Sequence, residues 1–204
     1  DRNHPVAPPF QEGGNAMADV LTGAVNPSGK LPVTFPKSWE DCPAYGNYPG
    51  KDGTVNYAEG IYVGYRHFDT KNIEPQFPFG HGLSYTTFAY SDLKLSRPTF
   101  TAKDTVLLSF TVTNTGSMAG EEVVQLYTHD ELASVARPVK ELKGFQRVAL
   151  EPGASKQLTF TLTSSMFTLL NEAMQEVTEP GTFRLMVGGS SKDIRLRTMV
   201  ELVE

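Results

Sequence analysis

The stretch Val106-Leu107-Leu108-Ser109-Phe110-Thr111-Val112-Thr113-Asn114-Thr115-Gly116 decides the fold. Successive side chains of an extended chain point to opposite faces, so Val106, Leu108, Phe110 and Val112 share one apolar side. Leu107, Ser109, Thr111 and Thr113 take the other, and Asn114-Thr115-Gly116 supplies a turn. The same period-2 grammar predicts strands at Phe88 to Leu95, Glu122 to Thr128, Lys140 to Leu150, Gln157 to Leu162, Thr182 to Val187 and Ile194 to Leu202. Glu151-Pro152-Gly153 and Glu179-Pro180-Gly181 punctuate them. Met166 to Leu170 reads equally as a short strand or a turn of helix. Within the Lys140 strand, Lys143-Gly144-Phe145 reads as a segment that presents Phe145 to the core, with Gly144 a candidate bulge.

Strands at this spacing over residues 83–204 predict a mainly β fold, a two-sheet sandwich of the immunoglobulin or fibronectin type III kind. Two different segments precede it. From Gly14 to Leu21, Ala16, Met17, Val20 and Leu21 form one apolar stripe and Gly23 follows as a stop, which predicts a short helix at the end of residues 1–23. So short a helix cannot stand alone. Asp1 to Phe10 is proline-rich and without period, an extended arm. Residues 24–82 form a long connector, too aromatic for a disordered linker and too long for an ordinary loop, so it must drape over a surface. Inside it, Ile61, Val63 and Tyr65 alternate with Tyr62, Gly64 and Arg66, which predicts a short strand over Glu59 to Phe68.

Composition narrows the function classes. The 204 residues carry a formal charge of −5 with both signs interspersed, so no basic field exists to hold a nucleic acid. No apolar run approaches the roughly 20 residues of a membrane span, and the N-terminus lacks the pattern of a signal peptide. Cys42 is alone and forms no internal disulfide.

Residues that carry chemistry do not assemble into a recognisable constellation, so no catalytic, cofactor-binding or metal-binding residue is assigned. Glu121 and Glu122 are adjacent in a strand and point to opposite faces, which suits rim carboxylates better than an acid/base pair. Glu40 and Asp41 follow Trp39, an arrangement open to two readings: a sugar site, or an aromatic anchor for the connector. His4, His67, His81 and His129 are too scattered for a zinc site, and Asp130 beside His129 adds no ligand spacing. Ser28, Ser84 and Cys42 lack a nucleophile elbow, and Gly13-Gly14 lacks the strand and Lys-Ser/Thr of a phosphate loop. Arg66, His67 and Asp69 form the most polar spot of the connector, where an Arg–carboxylate clamp is favoured over catalysis.

Several motifs resemble one family. Gln11 to Ala16 (QEGGNA), Ala18 to Leu21 and Asn26 to Pro36 (NPSGKLPVTFP) are similar to the end of the second domain of family 3 glycoside hydrolases, the β-glucosidase and β-xylosidase group. Tyr57 to Asp69 (YAEGIYVGYRHFD) and Phe77 to Phe88 (FPFGHGLSYTTF) resemble that family's interdomain connector. Gly120 to Tyr127 (GEEVVQLY), Ser134-Val135, Arg137-Pro138 and Lys140 to Phe145 (KELKGF) resemble its C-terminal fibronectin type III-like domain. The resemblance implies that residues 1–23 end an α/β sandwich domain. It also implies that the aspartate nucleophile and glutamate acid/base of a retaining mechanism lie in domains with no counterpart in this sequence. An acid/base that precedes an Asp-Arg pair in many members would place the cut just before Asp1-Arg2.

Two functions follow. In one, the chain is a scaffold that braces the catalytic domains of a β-glycosidase, inactive alone, with those domains as partners and a β-linked oligosaccharide as the full enzyme's substrate. The family resemblance is compatible with a soluble protein of the periplasm or one that is secreted, and the sequence itself assigns no compartment. In the other, it is a free-standing carbohydrate-binding or adhesion module with Trp39, Tyr45, Tyr48 and Tyr57 as its sugar platform. The long connector favours the first, because a free module has no use for it.

Overall fold

A computed structural model describes residues 12–204. The sandwich is built from β1 (Phe88–Leu95), β2 (Thr99–Phe100), β3 (Thr105–Asn114), β4 (Gly120–Asp130), β5 (Glu141–Leu150), β6 (Ser155–Thr163), β7 (Thr168–Leu170), β8 (Glu176–Thr178), β9 (Gly181–Gly188) and β10 (Ile194–Leu202). One sheet has the order β1-β3-β6 and the facing sheet β2-β10-β9-β4-β5, while β7 and β8 form a separate hairpin. All pairings are antiparallel except that of β2 with β10.

The predicted alternation in β3 is realised: Val106, Leu108, Phe110 and Val112 are fully buried, and Leu107 is exposed. They face Val124, Leu126, Leu185 and Val187 of the other sheet in a single apolar core. Phe110 lies between Tyr90 and Phe160, with ring centroids 6.5 and 5.9 Å away. Burying such side chains stabilises by roughly 1.5–3 kcal/mol each, which is why this half of the chain folds on its pattern. The ambiguous Met166 segment contains both alternatives: a 3-10 turn at Ser164–Phe167 leads directly into β7.

The expected inward Phe145 is corrected. Between Leu126 and Tyr127 the β4–β5 register slips, so that Gly144 pairs with Leu126 and Leu142 with Tyr127, leaving Lys143 as the extra residue of a bulge. The slip inverts the parity of the strand. A side chain at Gly144 would meet the core ring of Phe160 at 3.3 Å, whereas Phe145 points outward and is 67 % exposed.

Before the sandwich lie α1 (Gly13–Leu21), a 3-10 turn at Trp39–Asp41 and α2 (Tyr65–Thr70). The second helix corrects the strand expected at Glu59 to Phe68. Gly64 adopts φ +58°, a conformation that stops an extended run, and its carbonyl then accepts the N–H groups of His67 and Phe68. Helical spacing puts Tyr65, Phe68 and Asp69 on one face, and that face meets the sandwich. The two ends of the connector hold each other: the Leu31 N–H donates to the His81 carbonyl at 2.9 Å, the Gly80 N–H donates to the Leu31 carbonyl at 2.8 Å, and Phe35 and Phe77 exchange backbone hydrogen bonds of 2.8 and 3.3 Å.

Candidate functional site

The place where polar side chains converge is the joint between the connector and the outer face of the five-stranded sheet. Asp69, with its side chain 3 % exposed, faces Lys140 Nζ at 3.1 Å and Lys192 Nζ at 3.5 Å. Lys140 also donates to the Ser191 carbonyl at 2.6 Å, and the Ser191 N–H donates to Phe79 of the connector at 2.9 Å. One carboxylate thus ties α2 to the start of β5 and to the β9–β10 turn. Breaking a buried ion pair from one side costs about 3–5 kcal/mol, because the remaining charge is left desolvated.

Around this pair the clamp widens. Arg66 reaches Glu141 at 3.2 Å, and Glu141 also pairs with Arg137 and, at 3.6 Å, with Lys143. Burial holds the Lys143 ammonium below its ordinary pKa against the pull of Glu141. The Tyr65 hydroxyl accepts the Leu142 N–H at 2.8 Å, and its ring packs on Phe79 and, edge-on, on Tyr127. Burial beneath these rings pushes the Tyr127 hydroxyl above the usual phenol range. The expected Arg–carboxylate clamp is therefore present, but its members pair with the sandwich, not with each other. His67 instead turns to the other side, its Nε2 lying 3.1 Å from the Asp41 carbonyl.

A second anchor lies toward α1. Glu121 and Glu122 do point apart: Glu121 stands at the rim with Arg147 and Ser28, while Glu122 is buried and pairs with Lys30 at 3.0 Å. The expectation of two rim carboxylates is corrected for Glu122, which the connector covers. Arg147 donates to the Ser28 hydroxyl at 2.9 Å. Asn26, which the sequence reading passed over, donates to the Ala119 carbonyl at 2.8 Å and accepts from Ser84 Oγ and the Tyr85 N–H. Near Glu122, Tyr90 carries Arg195 over its ring at 5.5 Å; burial and the Glu122 charge both raise its hydroxyl pKa.

The remaining candidates are dispersed. The Asp41 carboxylate accepts the Ser38 N–H, capping its own turn, and Trp39 meets Tyr45 edge-on with 59 % of its surface exposed. His81 lies against Phe77, His129 Nδ1 approaches the Pro138 carbonyl at 3.2 Å, and burial raises the neighbouring Asp130 carboxyl. Cys42 is a part-buried thiol. His4 and the Asp1-Arg2 pair lie outside the described residues. Among the described residues no cluster of three or more His, Cys, Asp or Glu could hold a metal, and no helix is long and apolar enough to cross a membrane. What the arrangement does chemically is fix orientation: it locks one segment against another through charges drawn from three separate parts of the chain.

Comparison with known proteins matches residues 6–65 to the glycosyl hydrolase family 3 C-terminal domain and residues 122–191 to a fibronectin type III-like domain. The chain is 50 % identical over 190 residues to the thermostable beta-glucosidase B of Acetivibrio thermocellus, covering 93 % of this chain and 25 % of that protein. It is 45 % identical to beta-glucosidase BoGH3A of Bacteroides ovatus, of which it covers 26 %. Among solved structures, the GH3 beta-glucosidase of Bifidobacterium adolescentis superposes with a TM-score of 0.88 at 42 % identity, over 94 % of this chain and 28 % of that one. Beta-glucosidase 3B of Thermotoga neapolitana, solved with alpha-D-glucose, gives 0.88 at 40 % identity, over 95 % and 27 %. The chain therefore spans about a quarter of the length of the curated relatives it matches.

Proposed function

The chain is the C-terminal portion of a family 3 glycoside hydrolase, and from that premise we propose that it braces the catalytic lobes of a β-glucosidase-type enzyme. Residues 1–23 close the preceding lobe, residues 24–82 cross to the sandwich, and residues 83–204 form the rigid body that fixes the direction of the crossing. The acids that break a β-glycosidic bond belong to the rest of the protein.

The observation that carries this reading is the buried Asp69 held between Lys140 and Lys192. A connector that only joined two domains could remain loose. Burying a charge to fix a six-residue helix makes sense where geometry must be transmitted. Incubating the purified chain with aryl β-glucosides and β-xylosides tests the division of labour. No turnover is expected; turnover that tracks the purified chain overturns it. Calorimetric titration with β-linked gluco-oligosaccharides adds a second arm, in which binding by the chain alone would favour a sugar-binding module built on Trp39 and its neighbours.

A further inference from the structure

One sharply bent stretch of the connector takes no part in the clamp. Between Gly46 and Gly53 the backbone turns left-handed at Gly46, Gly50, Asp52 and Gly53, with φ of +86, +94, +53 and +75°. Asp52-Gly53 forms the centre of a two-residue turn. The Lys51 N–H donates to the Thr54 carbonyl at 3.0 Å, and the Thr54 N–H donates to the Lys51 carbonyl at 2.9 Å. Such a turn needs positive φ at both central positions, which Asp-Gly supplies. The Gly53 N–H is left over. Among the described residues it makes no hydrogen bond, residues 51–58 are all exposed, and nothing lies within 4 Å of a Cβ built on Gly53. Asp-Gly occurs nowhere else in the sequence, Asn-Gly is absent, and every other aspartate precedes a residue with a side chain.

We propose that Asp52-Gly53 is a modification site, at which the chain forms a succinimide and then an isoaspartyl linkage that opens the turn. The Gly53 amide nitrogen gives up its proton and attacks the side-chain carboxyl carbon of Asp52. The N–Cγ bond forms, a Cγ–O bond breaks, and the oxygen leaves as water. Water then adds to one of the two ring carbonyls. Opening at the former backbone carbonyl leaves the chain running through Cβ and Cγ, with a free α-carboxylate. One water leaves and one enters, and nothing is oxidised or reduced. Ring closure requires rotation about the Asp52 Cα–C bond. That rotation meets little resistance, because glycine accepts either sign of φ and two solvent-exposed hydrogen bonds hold the turn. The product has one more backbone atom between Lys51 and Thr54 than their paired hydrogen bonds allow. The turn cannot absorb it by shifting: a Cβ at Gly50 would already strike the Thr54 carbonyl and meet the Val55 side chain at 2.8 Å. Lys51 is then freed on an exposed loop, the kind of segment that proteases cut.

The test incubates the purified chain below its melting temperature for several weeks. Isoaspartate is mapped by enzymatic methyl transfer from S-adenosylmethionine to the new α-carboxylate, and backbone fragmentation locates the label. The label should collect at position 52. Labelled chains should be cut after Lys51 by a trypsin-class protease faster than fresh chains, while β3 and β4 keep their amide protection. Asp52→Glu should lose the label, because the longer side chain closes a larger ring far less readily. Asp52→Asn should regain it, with ammonia released in place of water. A synthetic peptide of residues 46–58 sets the unrestrained rate, which the folded chain should follow within a few-fold. Label spread over the other aspartates, or a folded chain that stays unlabelled while the peptide converts, overturns the site. Label at position 52 with cleavage after Lys51 unchanged overturns the opening of the turn.

Discussion

The sandwich and the connector are held by different forces. From Phe88 onward the structure rests on an apolar interior, with Val106, Leu108, Phe110, Leu126 and Leu185 fully buried. In residues 12–87, Phe68 is the one large apolar side chain that is buried; beside the Tyr65 ring packed on Phe79 and Tyr127, matched polar contacts hold the joint: Asp69 with two lysines, Arg66 with Glu141, Lys30 with Glu122, and Asn26 with three partners. Apolar burial is non-directional and tolerates small shifts, whereas a desolvated ion pair is worth something only at its own geometry. A body that must be stable uses the first; a joint that must point in one direction uses the second.

Substitutions can break or sharpen that contrast. Phe110→Ala should cost the whole protein about 3–5 kcal/mol in urea denaturation, through lost transfer energy and the cavity between Tyr90 and Phe160. A connector substitution with an equal global effect would erase the distinction. Asp69→Asn should cost about 2–3 kcal/mol, the partial exposure of Lys192 reducing the penalty for its unpaired charge. The loss should appear as faster amide exchange in α2, with the urea midpoint of the sandwich unmoved. Replacing Asp69 and Lys140 together by apolar residues should recover part of it.

Gly80→Ala ranks next, at about 1–2 kcal/mol read from thermal melting. Gly80 has φ +81°, and a Cβ there would stand 2.5 Å from Gln125 Nε2 and 2.9 Å from the Ser190 Cα, where backbone cannot give way. Smallest is a pH effect at the turn after β4. Two hydrogen bonds from Ser134 hold the Glu179 carboxyl below its ordinary pKa. A carboxyl with a depressed folded pKa contributes stability above its unfolded pKa and loses it as pH falls through the folded value. The turn should therefore loosen on acidification, seen as a Ser134 amide shift in NMR between about pH 6 and pH 3. Ser134→Ala removes the hydroxyl bond and keeps the backbone N–H bond, so it should reduce that titration shift and move its midpoint up toward the ordinary carboxylate range.

The same contrast explains what was legible in the sequence. β3 declared itself because burial on one face leaves a period-2 trace, and the family motifs from Gln11 to Phe145 located the rest. α2 did not. Ile61, Val63 and Tyr65 alternate as a strand would, and the helical face Tyr65, Phe68 and Asp69 mixes aromatic and charged residues that no hydrophobic period selects. Phe145 was misplaced because a single extra residue, Lys143, inverts every side chain beyond it. Of the joint, the sequence offered Arg66 and Asp69 as a polar cluster but not their partners. Lys140, Glu141 and Lys192 lie far along the chain, and no local spacing pairs them with α2. Two-residue β2 is too short to carry a period at all.

Amide hydrogen exchange of the whole chain, resolved by residue, tests the docked connector most directly. The N–H groups of His67, Phe68, Lys71 and Ile73, all hydrogen-bonded in or after α2, should exchange far more slowly than those of an unstructured peptide. Asp69→Asn should release them while β3 and β4 keep their protection. If α2 in the unsubstituted chain exchanges at peptide rates above a protected sandwich, the connector is not locked, and the brace has no means of setting a direction.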